Sequence, residues 1–200
     1  HPKTRPEPGA VREAADALAH AERPLIWAGG GAREADLSHE LLELAQALNA
    51  PVITTPEGKG SFPEDNPLSL GTIYNGHGPG HHAVPQADVI LAIGSRMHMV
   101  PPVDWSPQSH QKLIQIDADP EEVGRNIPVT TGMAADGRLA LQDLLAELGG
   151  KTRASRWTQG DIDTIRDATR AEIQAMAPLQ VEIINTIRQE LDDDAIMVAG

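Results

Sequence analysis

The chain has 200 residues, 40% hydrophobic and 22% charged, with 29 acidic against 16 basic side chains and a net charge of −13. This is globular composition, sufficient for one domain that buries roughly 70% of its unfolded surface, and its acidity argues against nucleic-acid and membrane-surface binding. There is no Cys, and the aromatic residues are three Trp, one Tyr and one Phe. Disulfide scaffolds, thiolate metal sites, cysteine nucleophiles and base-stacking platforms therefore drop out.

The opening His1-Pro2-Lys3-Thr4-Arg5-Pro6-Glu7-Pro8-Gly9 has no Met and no basic-then-apolar leader. No stretch approaches the roughly 18 apolar residues of a membrane helix, so a cytoplasmic protein is expected. The missing Met and the apolar ending Ala195-Ile196-Met197-Val198-Ala199-Gly200 read as a piece cut from a longer chain.

In chain order, residues 1–9 form a Pro-rich extended linker. Val11, Ala15 and Leu18 mark a short amphipathic helix that Pro24 breaks. Leu25-Ile26-Trp27-Ala28 reads as a buried strand entering the turn Gly29-Gly30-Gly31. Leu37, Leu41, Leu44 and Leu48 predict one helix of about four turns, and Pro51-Val52-Ile53-Thr54-Thr55 a second strand. Residues 56–80 carry no period, and a loop that long is often functional. Strands follow at Asp88–Gly94 and Lys112–Asp117, with a weaker one at Pro128–Thr131. Leu141, Leu144, Leu145 and Leu148 then mark a helix stopped by Gly149-Gly150.

Apolar strands alternating with helices predict a doubly wound, parallel α/β domain over residues 22–149. Residues 1–21 form its linker and leading helix, and Gly150–Ser155 reads as a boundary. Beyond it lie one helix with Ile162, Ile165, Thr169, Ile173 and Met176 on a face, another with Val181, Ile184, Ile187 and Leu191, and a last strand.

Ligands of such sheets sit beyond the carboxyl ends of the strands. Gly29, Gly30 and Gly31 leave backbone bare for a pyrophosphate, or simply make a tight turn, and the Gly-x-Gly-x-x-Gly pattern fails at Glu34. Glu57 stands where a ribose-binding acid could, or is solvated. Gly58-Lys59-Gly60 lacks the P-loop spacing. His77, His81, His82 and His98 read as a polar loop ahead of a metal site, and no Gly-x-Ser-x-Gly elbow is present for a hydrolase. Arg96, straight after a strand, can hold a phosphate in bidentate fashion. Asp117, ending the next strand, can accept from ribose hydroxyls or an adenine amine, while Asp119 caps a short helix before Pro120. Arg96 and Asp117 are the most specific pair.

Arg23–Gly31, Pro51–Thr55 with Gly58–Gly60, Phe62–Gly71, Ala87–Arg96 and Ile114–Gly124 together resemble, in order, the central domain of thiamine-diphosphate-dependent enzymes of the acetolactate synthase and 2-oxo acid decarboxylase type. Residues 178–200 resemble the start of the pyrophosphate-binding domain that follows, truncated here, and residues 150–177 read as a linker with a helix. The resemblance implies a Rossmann-like domain with a six-stranded parallel sheet, and a parent that is a homodimer or homotetramer converting 2-oxo acids with thiamine diphosphate and Mg²⁺. Those sites lie outside this chain, so it is expected to be inactive alone. It further implies FAD or ADP on Gly29, Gly30, Gly31, Arg96 and Asp117, or an empty domain. The FAD-holding branch follows its arginine with Phe-Asp-Asp and has Gly-Asp before the last helix. Here Arg96 precedes Met97-His98-Met99, and Gly132 precedes Met133. A free-standing nucleotide-binding module and a purely structural scaffold are the competing readings.

Overall fold

A computed structural model of the chain describes residues 3–73, 77–98, 107–152, 154–192 and 195–196. Residues 197–200 of the expected last strand, together with Tyr74, Met99 and Trp105, lie outside the described residues.

Helix α1 (Pro8–Ala19) begins inside what reads as linker. Pro8 at its first position is preorganised for a helix, and the Glu7 carboxylate accepts from the Ala10 N–H at 2.9 Å. Val11, Ala15 and Leu18 are buried, as their spacing predicts. Strand β1 (Pro24–Ala28) leads not to one helix but to two, α2 (Gly30–Glu34) and α3 (Ser38–Leu48). Asp36 takes a left-handed φ of 50° between them, while Leu37, fully buried, turns the chain back into the core.

Strand β2 (Val52–Thr54) follows, and the long segment after it contains strand β3 (Ser69–Thr72). Its single apolar side chain, Leu70, left no alternating pattern. Helix α4 (Gly80–Ala83) and a one-turn 3₁₀ segment, Val84–Gln86, precede strand β4 (Val89–Ile93). Strand β5 (Lys112–Asp117) agrees with its apolar run. Strand β6 (Thr131–Ala134) starts three residues after the start of the β-branched stretch that announced it and shares only Thr131 with it, because Thr131 pairs with Ile114 and Thr131 and Met133 are the residues turned inward.

Helix α5 (Gly137–Leu148) is capped by the Asp136 carboxylate, which accepts from the Leu139 N–H, and ends at Gly149 with φ 50°. Helices α6 (Gln159–Met176) and α7 (Pro178–Glu190) complete the described elements.

All strand pairs are parallel, in the order β3-β2-β1-β4-β5-β6. Strand order therefore reverses between β1 and β4, both buried at every residue. A crevice opens at the carboxyl ends of these two strands. Helices α1 and α3 pack on α5. Burying each large side chain of this core contributes roughly 1.5–3 kcal/mol.

Helix α6 is fastened to the same core. Trp157, Ile162 and Ile165 are buried, and the Trp157 indole N–H donates to the Pro24 carbonyl at 2.8 Å. Arg166 donates to the carbonyls of Ser69 and Asn66 at 2.8 Å and of Pro67 at 3.2 Å. The predicted face continues through Thr169 but is exposed at Ile173 and Met176. Helix α7 buries none of its side chains. Among the described residues, no helix is long and apolar enough to cross a membrane.

Candidate functional site

The turns that follow β1, β2, β4, β5 and β6 meet around one cavity of about 620 Å³. That is the size range of small-molecule sites. Gly29, Gly30, Gly31, Arg96 and Asp117, proposed from three separate strand ends, all line it. So do Glu34, Glu57, Ser95, His98, Asp136 and Lys3.

The glycine turn is tight for reasons internal to the fold. A side chain on Gly29 would meet the Gly94 carbonyl oxygen at 2.3 Å, and one on Gly31 would meet the Gly94 Cα at 2.8 Å. Gly94 itself has φ +57° and leaves only 2.5 Å between an added Cβ and the Ala32 nitrogen. The Gly29 N–H donates to the Ile93 carbonyl at 2.8 Å, and the Gly31 N–H to the Gly94 carbonyl at 3.0 Å. Two of the three amides considered for a pyrophosphate are thus already engaged. Glu34, where the glycine pattern fails, is the last residue of α2.

Arg96 exposes 70% of its side chain, and its Nε stands 3.7 Å from the Glu122 carboxylate. Glu122 is nine-tenths buried and also receives the Arg125 guanidinium at 2.8 Å. Its second oxygen is buried without a hydrogen-bond partner among the described residues. Burial pushes the Asp117 carboxyl above the usual carboxylate range; Glu122 and Asp119 reinforce the shift, while the Asp119 amide and Arg96 oppose it. Asp117 accepts from the Asp119 N–H at 3.0 Å, and Asp119 in turn from the Glu121 N–H at 3.0 Å. Residues 120–124 form a turn, not the short helix expected there.

Three groups at this site escaped the sequence reading. Gln115, 2% exposed in the middle of β5, donates to the Ser95 carbonyl at 3.0 Å and the Glu122 carbonyl at 3.1 Å, and accepts from the Gly124 N–H at 2.7 Å. It ties the turn after β4 to the turn after β5, and so positions Arg96 relative to Asp117. A polar residue inside an otherwise apolar strand was the available signal. Glu122 lay within a matched motif without a role. Lys3 lay in the segment read as linker.

The other candidates disperse. Lys59 pairs with Glu64 in an ion pair. Gly58 packs where a side chain would meet the Ala28 carbonyl at 2.3 Å. Glu57 lines the cavity beside Gly30. His82 meets Glu172 of α6 at 2.8 Å, an acid from outside its loop. Among the described residues, no three His, Cys, Asp or Glu side chains are grouped so as to hold a metal.

Comparison with known proteins adds to this geometry. Residues 11–144 match the family described as thiamine pyrophosphate enzyme, central domain. The chain is 42% identical over 151 residues to the "Probable acetolactate synthase large subunit" of Methanocaldococcus jannaschii, covering 74% of this chain and 25% of that protein. It is 32% identical over 197 residues to the sulfoacetaldehyde acetyltransferase of Roseovarius nubinhibens, covering 94% of this chain and 31% of that one. The chain thus spans about a quarter to a third of the length of the curated relatives it matches. The fold of benzoylformate decarboxylase from Polynucleobacter necessarius superposes with a TM-score of 0.64 at 24% identity, over 79% of this chain and 31% of that one.

Proposed function

This chain belongs to the thiamine pyrophosphate enzyme family, whose central domain it contains, and on that premise we propose that it serves as the nucleotide-holding middle domain of an enzyme acting on 2-oxo acids. The whole protein is then a carboligase of the acetolactate synthase kind or a decarboxylase, built as a homodimer or homotetramer. Relatives named as acetolactate synthase, sulfoacetaldehyde acetyltransferase and 2-ketoarginine decarboxylase support that range. Thiamine diphosphate, when bound with Mg²⁺, supplies the nucleophilic carbon for chemistry on the oxo group. Among the described residues, acidic Glu34, Glu57, Asp117 and Asp136 line the cavity without forming a metal-ligand group, which does not suit the cofactor's metal-bound diphosphate. We assign the thiamine site to parts of the whole protein beyond this domain, without which the 200 residues are inactive.

The observation that carries the proposal is the convergence of Arg96 and Asp117 on one cavity where strand order reverses. A guanidinium on one side and a carboxylate on the other suit the diphosphate and the ribose or adenine of ADP or FAD. Residues of the chain fit that group in size and in polarity, through side chains more than through the glycine amides. The engaged amides of Gly29 and Gly31 favour a second reading, an empty scaffold joining its neighbours.

Thermal melts of the chain with saturating FAD, ADP, NAD and coenzyme A separate the two. A ligand at 100 times its Kd stabilises by about 2.7 kcal/mol, which is roughly 5–10 °C for a chain of this size. A shift with ADP or FAD that disappears in Arg96→Ala supports the nucleotide reading; four flat melts favour the scaffold. For the whole protein, 2-oxo acid turnover that survives removal of thiamine diphosphate overturns the family-based part.

A further inference from the structure

Resting on the nucleotide reading, we propose that Lys3 is the second cation of the anion subsite, delivered by residues 3–7, which act as a docked strap and not as a linker. The strap is fixed at four places. The Thr4 carbonyl accepts from the Asp136 N–H at 2.9 Å, Arg5 forms an ion pair with Asp143 of α5, Pro6 is buried, and Glu7 caps α1. Asp136 is itself a wall of the cavity, so the bond to Thr4 sets the strap on the cavity rim with Lys3 among the lining residues.

The charge distribution explains why a second cation is needed. Glu34, Glu57, Asp117 and Asp136 line the cavity, and two of the three glycine amides are engaged with β4 and the turn after it. Arg96 is drawn toward buried Glu122, which offsets part of its charge. A diphosphate entering among four carboxylates therefore gains little from Arg96 alone. The Lys3 ammonium is mobile on a long stem and carries three donors. It can reach an anion from the strap side of the cavity, beside Asp136, and Arg96 is the other lysine or arginine among the cavity's described lining residues. Occupancy of the cavity and docking of the strap are then coupled: a bound diphosphate holds the strap down, and an undocked strap weakens the site.

The test is calorimetric titration of the 200-residue chain with ADP, FAD and adenosine, for the wild type, Lys3→Ala, Lys3→Arg and Arg96→Ala. Lys3→Ala is expected to weaken ADP and FAD by roughly tenfold, the effect of one charge-assisted hydrogen bond. Adenosine affinity stays unchanged, and Lys3→Arg restores most of the loss. Amide hydrogen exchange of Thr4, Arg5 and Glu7 slows on adding ADP in the wild type but not in Lys3→Ala. ADP binding that is equal in wild type and Lys3→Ala, yet lost in Arg96→Ala, overturns the role of Lys3 and leaves the nucleotide reading standing. An equal loss of adenosine also overturns it, because Lys3 then acts through the fold. Absence of binding by all three ligands to the wild type overturns both.

Discussion

Replacing Gln115 by Leu isolates the group that holds the candidate site together. The two side chains are similar in volume, so packing changes little, but three hydrogen bonds vanish: to the Ser95 and Glu122 carbonyls and from the Gly124 N–H. The glutamine is 2% exposed, so water cannot replace the partners without opening the turns. At roughly 1 kcal/mol for each neutral hydrogen bond, the loss is about 3 kcal/mol, and higher if the partners stay unsatisfied. For a chain of this size that lowers Tm by roughly 6–12 °C, read by circular dichroism. Gln115→Glu keeps the shape and one acceptor but loses both donations and buries a charge near Glu122, so it is expected to be worse than Leu. A drop below about 1 kcal/mol for Gln115→Leu refutes the claim that this side chain couples the turns after β4 and β5.

Two further perturbations test neighbouring parts of the argument. Gly94→Ala combines a left-handed backbone with a Cβ 2.5 Å from the Ala32 nitrogen, whereas Gly60→Ala has φ +89° with nothing within 4 Å. Left-handed strain alone costs roughly 1–2 kcal/mol, so Gly60→Ala should show about that loss in urea midpoints and Gly94→Ala distinctly more; equal losses would sink the interlocking-turn account. For Asp117, the folded carboxyl is raised from 3.8, so the native state binds a proton more tightly than the unfolded one. Its contribution to stability is full below 3.8 and is lost as pH rises through the raised value. Asp117→Asn keeps an acceptor for the Asp119 N–H and should remove that downward slope in acid-range urea titrations; a difference between the two proteins that grows in the opposite direction contradicts the burial argument.

The sheet was legible where strands are buried on both faces. Leu25–Ala28 and Val89–Ile93 are apolar throughout, and Leu113–Ile116 at every position but Gln115, because helices cover both sides, and such runs need no partner information to be recognised. Strand β3 was not legible, since an edge strand of Ser69-Leu70-Gly71-Thr72 owes its conformation to β2 and not to its own side chains. The break between α2 and α3 was missed for a related reason: Asp36 carries no turn signal beyond its type, and burial of Leu37 decides the path. At the site, Arg96 and Asp117 could be found because the carboxyl ends of strands are where such folds bind. Gln115 depends on a partner at Ser95, and Lys3 is placed by the bond between the neighbouring Thr4 and Asp136, far along the chain; no local pattern encodes those distances.

The way the turns are built also decides what a loss of binding means. Gly29, Gly31 and Gly94 lock backbone to backbone, and Gln115 locks the turns after β4 and β5, so the cavity walls are set by bonds internal to the domain. None of those bonds involves the Arg96 guanidinium or the Lys3 ammonium. The side chains that would choose a nucleotide are therefore not the groups that shape its cavity, and an occupant can be exchanged or lost without unfolding the domain. The consequence is measurable in the absence of ligand: Arg96→Ala and Lys3→Ala should melt with the wild type to within about 0.5 kcal/mol, as exposed surface substitutions do. If either variant melts well below that, recognition and architecture are not separate here, and affinity changes in these variants would have to be read as changes in the fold.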